Sequence, residues 1–294
     1  MRICILGGCG YIGTVLSKQL LEKNKVKIID TQWFGNKLKK NKNLKVVKKD
    51  IRKIKLHDLK GYDVLIHLAN IANDPTVELS PTLSWEVNVL AMMNIAEISV
   101  KAKIKKIIFA SSGSVYGIKK EKKVTEELTL KPISTYNKTK MIAERVLLSY
   151  SDKIKIYCVR PATVCGYSPK MRFDISVNML TLQALKNKLI TVFGGNQVRP
   201  NIHIQDLVNL FNHLIYKKVK PGIYNAGFEN KKIIDVAKQI KKIIPCKIII
   251  TKSNDPRSYR QNSDKILRTG FRTKNNVKTA IIEIKKKYEE NILK

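Results

Sequence analysis

Short apolar runs and helical stripes alternate along the first 160 or so residues. Residues 2–6 carry Ile3, Cys4, Ile5 and Leu6, a run short enough to read as one buried strand. Over 11–23, Ile12, Val15, Leu16, Leu20 and Leu21 recur at helical spacing. A strand at 26–29 follows and ends in Asp30. Further strands are predicted at 44–47, 63–68, 105–110 and 154–160. Helices over 81–100 (Leu83, Val87, Leu90, Ile95, Ile98) and 134–149 stand between them. This alternation predicts an α/β fold with a doubly wound parallel sheet. Beyond Pro161 the loops lengthen. Helices near 175–188, 205–217 and 230–242 alternate with strands near 190–193, 222–226 and 246–250, and a last helix spans 276–293. The expectation is a larger domain over 1–166 and a smaller C-terminal α/β lobe over 167–294, with the strand near 222–226 a candidate to rejoin the main sheet. Without a long linker, the two should share a cleft.

The first strand–helix turn gives this frame a chemistry. Gly7, Gly10 and Gly13 recur every third residue between strand and helix. Glycines there allow a tight turn, close approach of backbone to a pyrophosphate, and close helix–strand packing. The helix that opens at Tyr11 and Ile12 points free N–H groups and a partial positive charge at the phosphates. Asp30 closes the second strand 17 residues after Gly13. A carboxylate there binds ribose hydroxyls and repels a 2′-phosphate, so it favours NAD over NADP. The first domain is therefore expected to be a Rossmann, NAD-binding domain. Asp50, just past the third strand, is placed near the adenine end. The small-residue loop Ala69-Asn70-Ile71-Ala72 lets the pyrophosphate pass close to the backbone.

Composition changes this picture little. The formal net charge is +34, with 10 Arg among the 57 basic residues. Lysines spread over the whole chain, without the interleaved aromatic platforms of nucleic-acid grooves, so they are read as solvated faces that steer an anionic ligand inward. No specific nucleic acid is expected as a partner. Five scattered cysteines with no Cys-x-x-Cys suggest a reducing, cytoplasmic setting. The four histidines show no metal-ligand spacing, and no metal is expected. His67 is read as a packed strand residue and His203 as a structural one. No run of about 18 apolar residues exists, so no membrane span is expected.

Tyr136 and Lys140 share a face of the helix over 134–149. A cation beside a phenol lowers its pKa and brings a phenolate base within reach. Ser112, at the end of the fifth strand, can hydrogen-bond the same substrate oxygen, and Lys140 can also bind the nicotinamide ribose. Spacing alone is weak support: composition gives about two Tyr–Lys pairs of this separation by chance, and three occur, Tyr116/Lys120, Tyr136/Lys140 and Tyr216/Lys220. Only Tyr136/Lys140 has the serine and the dinucleotide turn around it.

The chain resembles the extended short-chain dehydrogenases/reductases, the NAD-dependent nucleotide-sugar epimerase/dehydratase family. The resemblance rests on Gly7-Gly8-Cys9-Gly10-Tyr11-Ile12-Gly13, Asp50-Ile51-Arg52, His67-Leu68-Ala69, Ser111 to Gly117, Tyr136-Asn137-Lys138-Thr139-Lys140, Arg160 to Gly166 and Arg199 to Asp206. It implies Ser112, Tyr136 and Lys140 as catalytic residues. It implies Gly7, Gly10, Tyr11, Ile12, Gly13, Asp30, Asp50, Ile51, Leu68, Ala69, Asn88, Tyr136 and Lys140 around NAD. Ser112, Asn178, Arg199 and Arg257 are the candidates for a nucleotide-diphosphate sugar, with Arg260 behind them. Family members that eliminate water carry acids just after the serine; here stand Gly113 and Ser114. Hydride transfer at carbon 4 remains, as a 4-epimerase or as a one-way 4-dehydrogenase or 4-ketoreductase. The segment Ser168 to Asp174 resembles a smaller branch that includes epimerase-like enzymes and sugar-nucleotide 4-dehydrogenases, which keeps the one-way reading open. A nucleic-acid-binding protein on a dehydrogenase fold is the alternative from another class, and the intact Ser112, Tyr136 and Lys140 speak against it. The family further implies a homodimer through helices 81–100 and 134–149, and a place in cell-surface polysaccharide synthesis.

Overall fold

In the computed structural model, which describes residues 1–253 and 258–293, β1 (Arg2–Leu6) lies inside a seven-stranded parallel sheet. Ile3 and Ile5 enter one core and Cys4 and Leu6 the other. Both faces of the strand are covered, as an all-apolar run requires. Along the chain follow α1 (Tyr11–Leu20), β2 (Lys25–Asp30), β3 (Leu44–Lys48), α2 (Leu56–Leu59), β4 (Val64–His67), α3 (Asp74–Leu79), α4 (Pro81–Trp85), α5 (Ala91–Lys101), β5 (Lys106–Ala110), α6 (Thr135–Leu148) and β6 (Lys155–Pro161). The second half adds β7 (Thr163–Cys165), α7 (Ser176–Asn187), β8 (Leu189–Phe193), β9 (Val198–His203), α8 (Ile204–Tyr216), β10 (Gly222–Ala226), β11 (Glu229–Lys232), α9 (Ile233–Ile243), β12 (Lys247–Thr251), α10 (Asp264–Leu267) and α11 (Val277–Glu289).

The main sheet runs β10-β6-β5-β4-β1-β2-β3. Strand order reverses at β1, which pairs with β2 on one side and β4 on the other. A crevice at such a reversal is where open α/β sheets take ligands. The second half contributes to this first layer twice. β10 pairs in parallel with β6, Gly222 opposite Tyr157. α8 lays Leu207, Leu210, Phe211 and Leu214 into the core that also holds Leu16 and Leu20 of α1. A separate core gathers Leu180, Ile190, Val192, Val236, Ile240 and Ile281 from α7, β8, α9 and α11.

The structure departs from the sequence expectation in several places, some for local reasons and some for tertiary ones. α1 ends at Leu20, where the Asn24 amide donates to the Leu20 carbonyl at 2.8 Å and closes the turn. The stretch 81–100 is not one regular α-helix. A π-helical turn, Glu86–Leu90, separates α4 from α5. It surrounds Asn88, whose side chain accepts from Ile71 N at 2.9 Å and donates to Ile71 O and Thr139 Oγ1 at 3.1 and 3.2 Å. Such turns commonly mark functional sites. β7, β9 and β11 were not expected at all. β9 pairs in parallel with β7 and antiparallel with β11, contacts that only the assembled lobe supplies.

Candidate active site

The glycine turn sits between β1 and α1. Gly7 has φ +81°, and a Cβ there would lie 2.4 Å from Ala69 N. A Cβ on Gly13 would lie 2.6 Å from the Gly8 Cα. Only glycine fits either place. Gly10 is the N-cap of α1 and offers no side-chain cap, and the first turn carries no acid, so the N–H groups at Tyr11, Ile12 and Gly13 open onto the crevice. The Asp30 carboxylate stands beside this turn, accepting from Cys9 N at 2.9 Å and Gln32 N at 2.7 Å. Leu68 and Ala69 both donate their N–H to the Leu6 carbonyl, which turns the chain at the tip of β4. Asp50 caps the short turn that begins at Ile51, and a hydrogen bond from the Arg52 guanidinium lowers its carboxyl below the ordinary range. Ile51 is buried. Most of the NAD residues expected from sequence therefore gather along the tips of β1, β2, β3 and β4; Tyr136 and Lys140 stand on α6 beside the tip of β5, and Asn88 on the π-helical turn. Asn88 is 2 % exposed and its amide is committed to Ile71 and Thr139, so it braces the β4 loop.

Tyr136 lies in the first turn of α6, whose N-cap Ser134 accepts from Asn137 N. Ser134 Oγ donates to Asp74 at 2.6 Å, so the start of the helix is tied to α3. Ser112 follows β5, stands close enough to the Tyr136 phenol to lower it, and lies 2.7 Å Oγ-to-Oγ from Ser114. Burial raises the Tyr136 phenol; the Arg172 charge and the Ser112 hydrogen bond pull it back, and Asp74 and Asp174 push it up again. Lys140 differs from the sequence expectation. Its Nζ donates to the Ala110 carbonyl at 2.8 Å and lies 4.7 Å from the centre of the Phe109 ring. Burial lowers it to about 7, opposed by Glu144. Among the charges around Tyr136, Arg172 pulls the phenol down, and the Lys140 ammonium is held at the tip of β5, the strand that leads into Ser112. Sequence reasoning did not single out Arg172 for this role; its scarcity as a residue type was the available signal. His67 is buried, packs 5.6 Å from Phe109 and is lowered to about 3, chiefly by burial.

The expected substrate residues are less well gathered. Asn178 is fully buried; its Oδ1 accepts from Gly166 N, and its Nδ2 donates to Tyr11 OH and to the Arg172 carbonyl. The amide braces this loop. Arg199 is half-buried in β9, opposite Lys231 of β11. Arg260 is exposed, and its carbonyl accepts from Val124 N. Arg257 lies outside the described residues. His203 accepts from Gln205 N through Nδ1 and pairs with Glu283 through Nε2, a structural use. Among the described residues, no group of three or more His, Cys, Asp or Glu could hold a metal ion. No helix among them is long and apolar enough to cross a membrane.

Residues 3–227 match the NAD dependent epimerase/dehydratase family. The chain belongs to that family. A curated UDP-glucose 4-epimerase of Lactobacillus helveticus is 28% identical over 90% of this chain and 89% of its own length. A protein of Bacillus subtilis (strain 168), named as an uncharacterized UDP-glucose epimerase, is 32% identical over 83% of this chain and 82% of its own. Among solved structures, a mutant UDP-glucuronic acid 4-epimerase from Bacillus cereus, in complex with a fluorinated UDP-sugar and NAD, superposes with a TM-score of 0.89 at 25% identity, covering 99% of this chain and all of that one.

This family's enzymes depend on NAD, and the turn described above fits it: an uncapped helix N-terminus for the pyrophosphate, Gly7 and Gly13 where no Cβ fits, and an acid at the tip of β2 for a ribose. The geometry also sets an expected pH effect. Arg172 favours the phenolate, so Arg172→Gln should raise the Tyr136 pKa and move the acid limb of the kcat profile to higher pH. A profile that stays in place, measured from pH 5 to 10, would remove Arg172 from this role.

Proposed function

We propose that this chain is a nucleotide-diphosphate-sugar 4-epimerase acting with resident NAD. The carrying observation is Tyr136 set beside Ser112 at the tip of β5, two strands from the glycine turn, with Gly113 and Ser114 where an eliminating enzyme would carry acids. When bound, NAD supplies a nicotinamide ring that takes a hydride from carbon 4 and later returns it to the other face. Ser112 holds the carbon 4 oxygen. Tyr136 takes the hydroxyl proton as that oxygen becomes a carbonyl, and gives it back when the carbonyl is reduced. Burial keeps the phenol a good donor for the return step, while Arg172 and Ser112 keep the phenolate accessible for the first. Two carboxylates, Asp74 and Asp174, lie close enough to act on Tyr136, but Asp74 accepts from Ser134 and Asp174 is forked to Arg172 and accepts from Asn73. Their engagement supports chemistry without elimination. UDP is the favoured nucleotide because the relatives named above are UDP-sugar enzymes.

The reading includes a homodimer, supported by the exposure of Leu90 and Met93 on the 81–101 helical stretch. It includes a reducing cytoplasmic setting, supported by five free cysteines, and a role in supplying sugar nucleotides for cell-surface polysaccharide. The test is a proton NMR time course with a panel of UDP-, GDP-, CDP- and dTDP-sugars and no added cofactor, with absorbance at 340 nm read in parallel. Inversion at carbon 4 without net NADH is the expected result. A keto sugar with stoichiometric NADH would replace the epimerase by a one-way dehydrogenase. A one-chain mass in sedimentation would remove the dimer.

A further inference from the structure

The segment 166–174, between β7 and α7, crosses the tips of three neighbouring strands, β4, β1 and β2. Behind β1 it is tied twice to the first residue of α1. The Tyr11 hydroxyl donates to the Gly166 carbonyl at 2.8 Å, and Ser168 Oγ, fully buried, donates to the Tyr11 carbonyl at 2.8 Å. Beyond β2, Lys170 Nζ donates to the Phe34 carbonyl at 2.7 Å and stands 5.1 Å from the centre of the Phe34 ring. Beyond β4, Asp174 accepts from the Asn73 amide at 2.6 Å. Asn73 has φ +71° and ψ 160°, a backbone region that costs a residue with a side chain about 1–3 kcal/mol. Its Oδ1 caps α3 through Thr76 N at 2.9 Å while its amide holds Asp174, which keeps it there. Asn178 braces the segment from behind through the Arg172 carbonyl and Tyr11 OH.

A dinucleotide held at the glycine turn lies outside the carboxyl ends of these same strands. When bound, its pyrophosphate would sit at α1, its adenosine toward β2 and its nicotinamide toward β4 and β5. The segment therefore crosses that groove from β4 to β2, fastened near each end and in the middle. Loops that close over a site commonly set the rate at which what lies beneath is released.

We propose that Lys170 and Ser168 are positioning residues that latch the 166–174 segment across the dinucleotide groove and keep one NAD molecule resident through both hydride transfers. The proposal rests on the epimerase reading, in which the same cofactor molecule must serve in both directions. A one-way dehydrogenase has to open this latch on every turnover.

The test uses purified holoenzyme and no sugar. After gel filtration, the protein is mixed with excess 1,N6-etheno-NAD, and exchange is followed by etheno fluorescence. Lys170→Ala is expected to exchange at least about ten-fold faster than wild type, the size of losing one hydrogen bond to a charged group. Lys170→Arg, which can still reach the Phe34 carbonyl, should stay near wild type. Ser168→Ala should also exchange faster, and a far-ultraviolet melt establishes that each variant is folded. Equal exchange in wild type and folded Lys170→Ala would overturn the latch, as would a wild type that holds no NAD after gel filtration. The two readings fail separately. Faster exchange in Lys170→Ala, in a chain that does not invert carbon 4, would support the latch and remove the epimerase. Unchanged exchange in a chain that does invert carbon 4 would remove the latch alone.

Discussion

Tyr136→Phe is expected to lower kcat by about 10²–10⁴-fold while the protein keeps its NAD, because only the proton carrier is removed. The ring remains, so the packing of the first turn of α6 should change little. Ser112 loses one hydrogen-bond partner and keeps Ser114 at 2.7 Å. The loss should fall on kcat, since the hydroxyl acts on the reacting oxygen and the nucleotide is held elsewhere. The pH dependence follows from the direction of the shift. Burial raises the phenol, so the protonated form prevails at neutral pH and the base form grows as pH rises. Wild-type kcat should climb on the alkaline side, and the residual activity of Tyr136→Phe should lose that climb. Full activity in Tyr136→Phe, with NAD retained, would remove Tyr136 as the proton carrier.

Glu144→Ala is expected to destabilise the fold by about 3–5 kcal/mol, because it leaves a buried guanidinium without its counter-ion. Arg160 of β6 and Glu144 of α6 have side chains 2 % and 1 % exposed. They form a fork, Nε to Oε1 at 2.9 Å and the terminal nitrogen to Oε2 at 2.7 Å. The third nitrogen of Arg160 donates to Tyr116 OH at 2.8 Å, and Tyr116 donates to Asn225 of β10 at 2.8 Å. Gln261 reaches both the Arg160 carbonyl and Asn225. Glu144 is two helical turns beyond Tyr136, so this network fixes the catalytic helix against the sheet. A melting temperature lowered by roughly 10 °C is the expected readout. Replacing both partners, Glu144→Met with Arg160→Met, should recover part of the loss, since an apolar pair needs no compensation. A shift of under about 1 kcal/mol in Glu144→Ala would show that the pair is not held as described.

The parts of the site that could be read directly are those where one backbone element imposes a residue type. Gly7 and Gly13 are dictated by contacts within a single strand–turn–helix unit and its immediate neighbour Ala69. Asp30 ends the strand that pairs with β1, so its place beside the turn follows from the unit itself. Tyr136 and Lys140 share one helix, and their common face follows from helical period. What the two side chains do does not follow from period. Lys140 turns to the Ala110 carbonyl because β5 passes beneath α6, and its burial against Phe109 is a property of the packed layers. Asn88 and Asn178 hold backbone groups 17 and 12 residues away in sequence together with the hydroxyls of Thr139 and Tyr11, partners that no local pattern names.

The sequence by itself determined the parallel sheet, the dinucleotide turn and the family, because these rest on local period, on glycine sterics and on short motifs. Tertiary structure decided which charge acts on which. The Arg172 charge acts on Tyr136 because the segment after β7 folds back over the sheet tips, held by Tyr11 and Asn73. It also decided that α8 and β10, from the second half, complete the first layer. Such contacts join residues far apart in the chain, where loop closure and competing partners set the outcome and no local pattern records it.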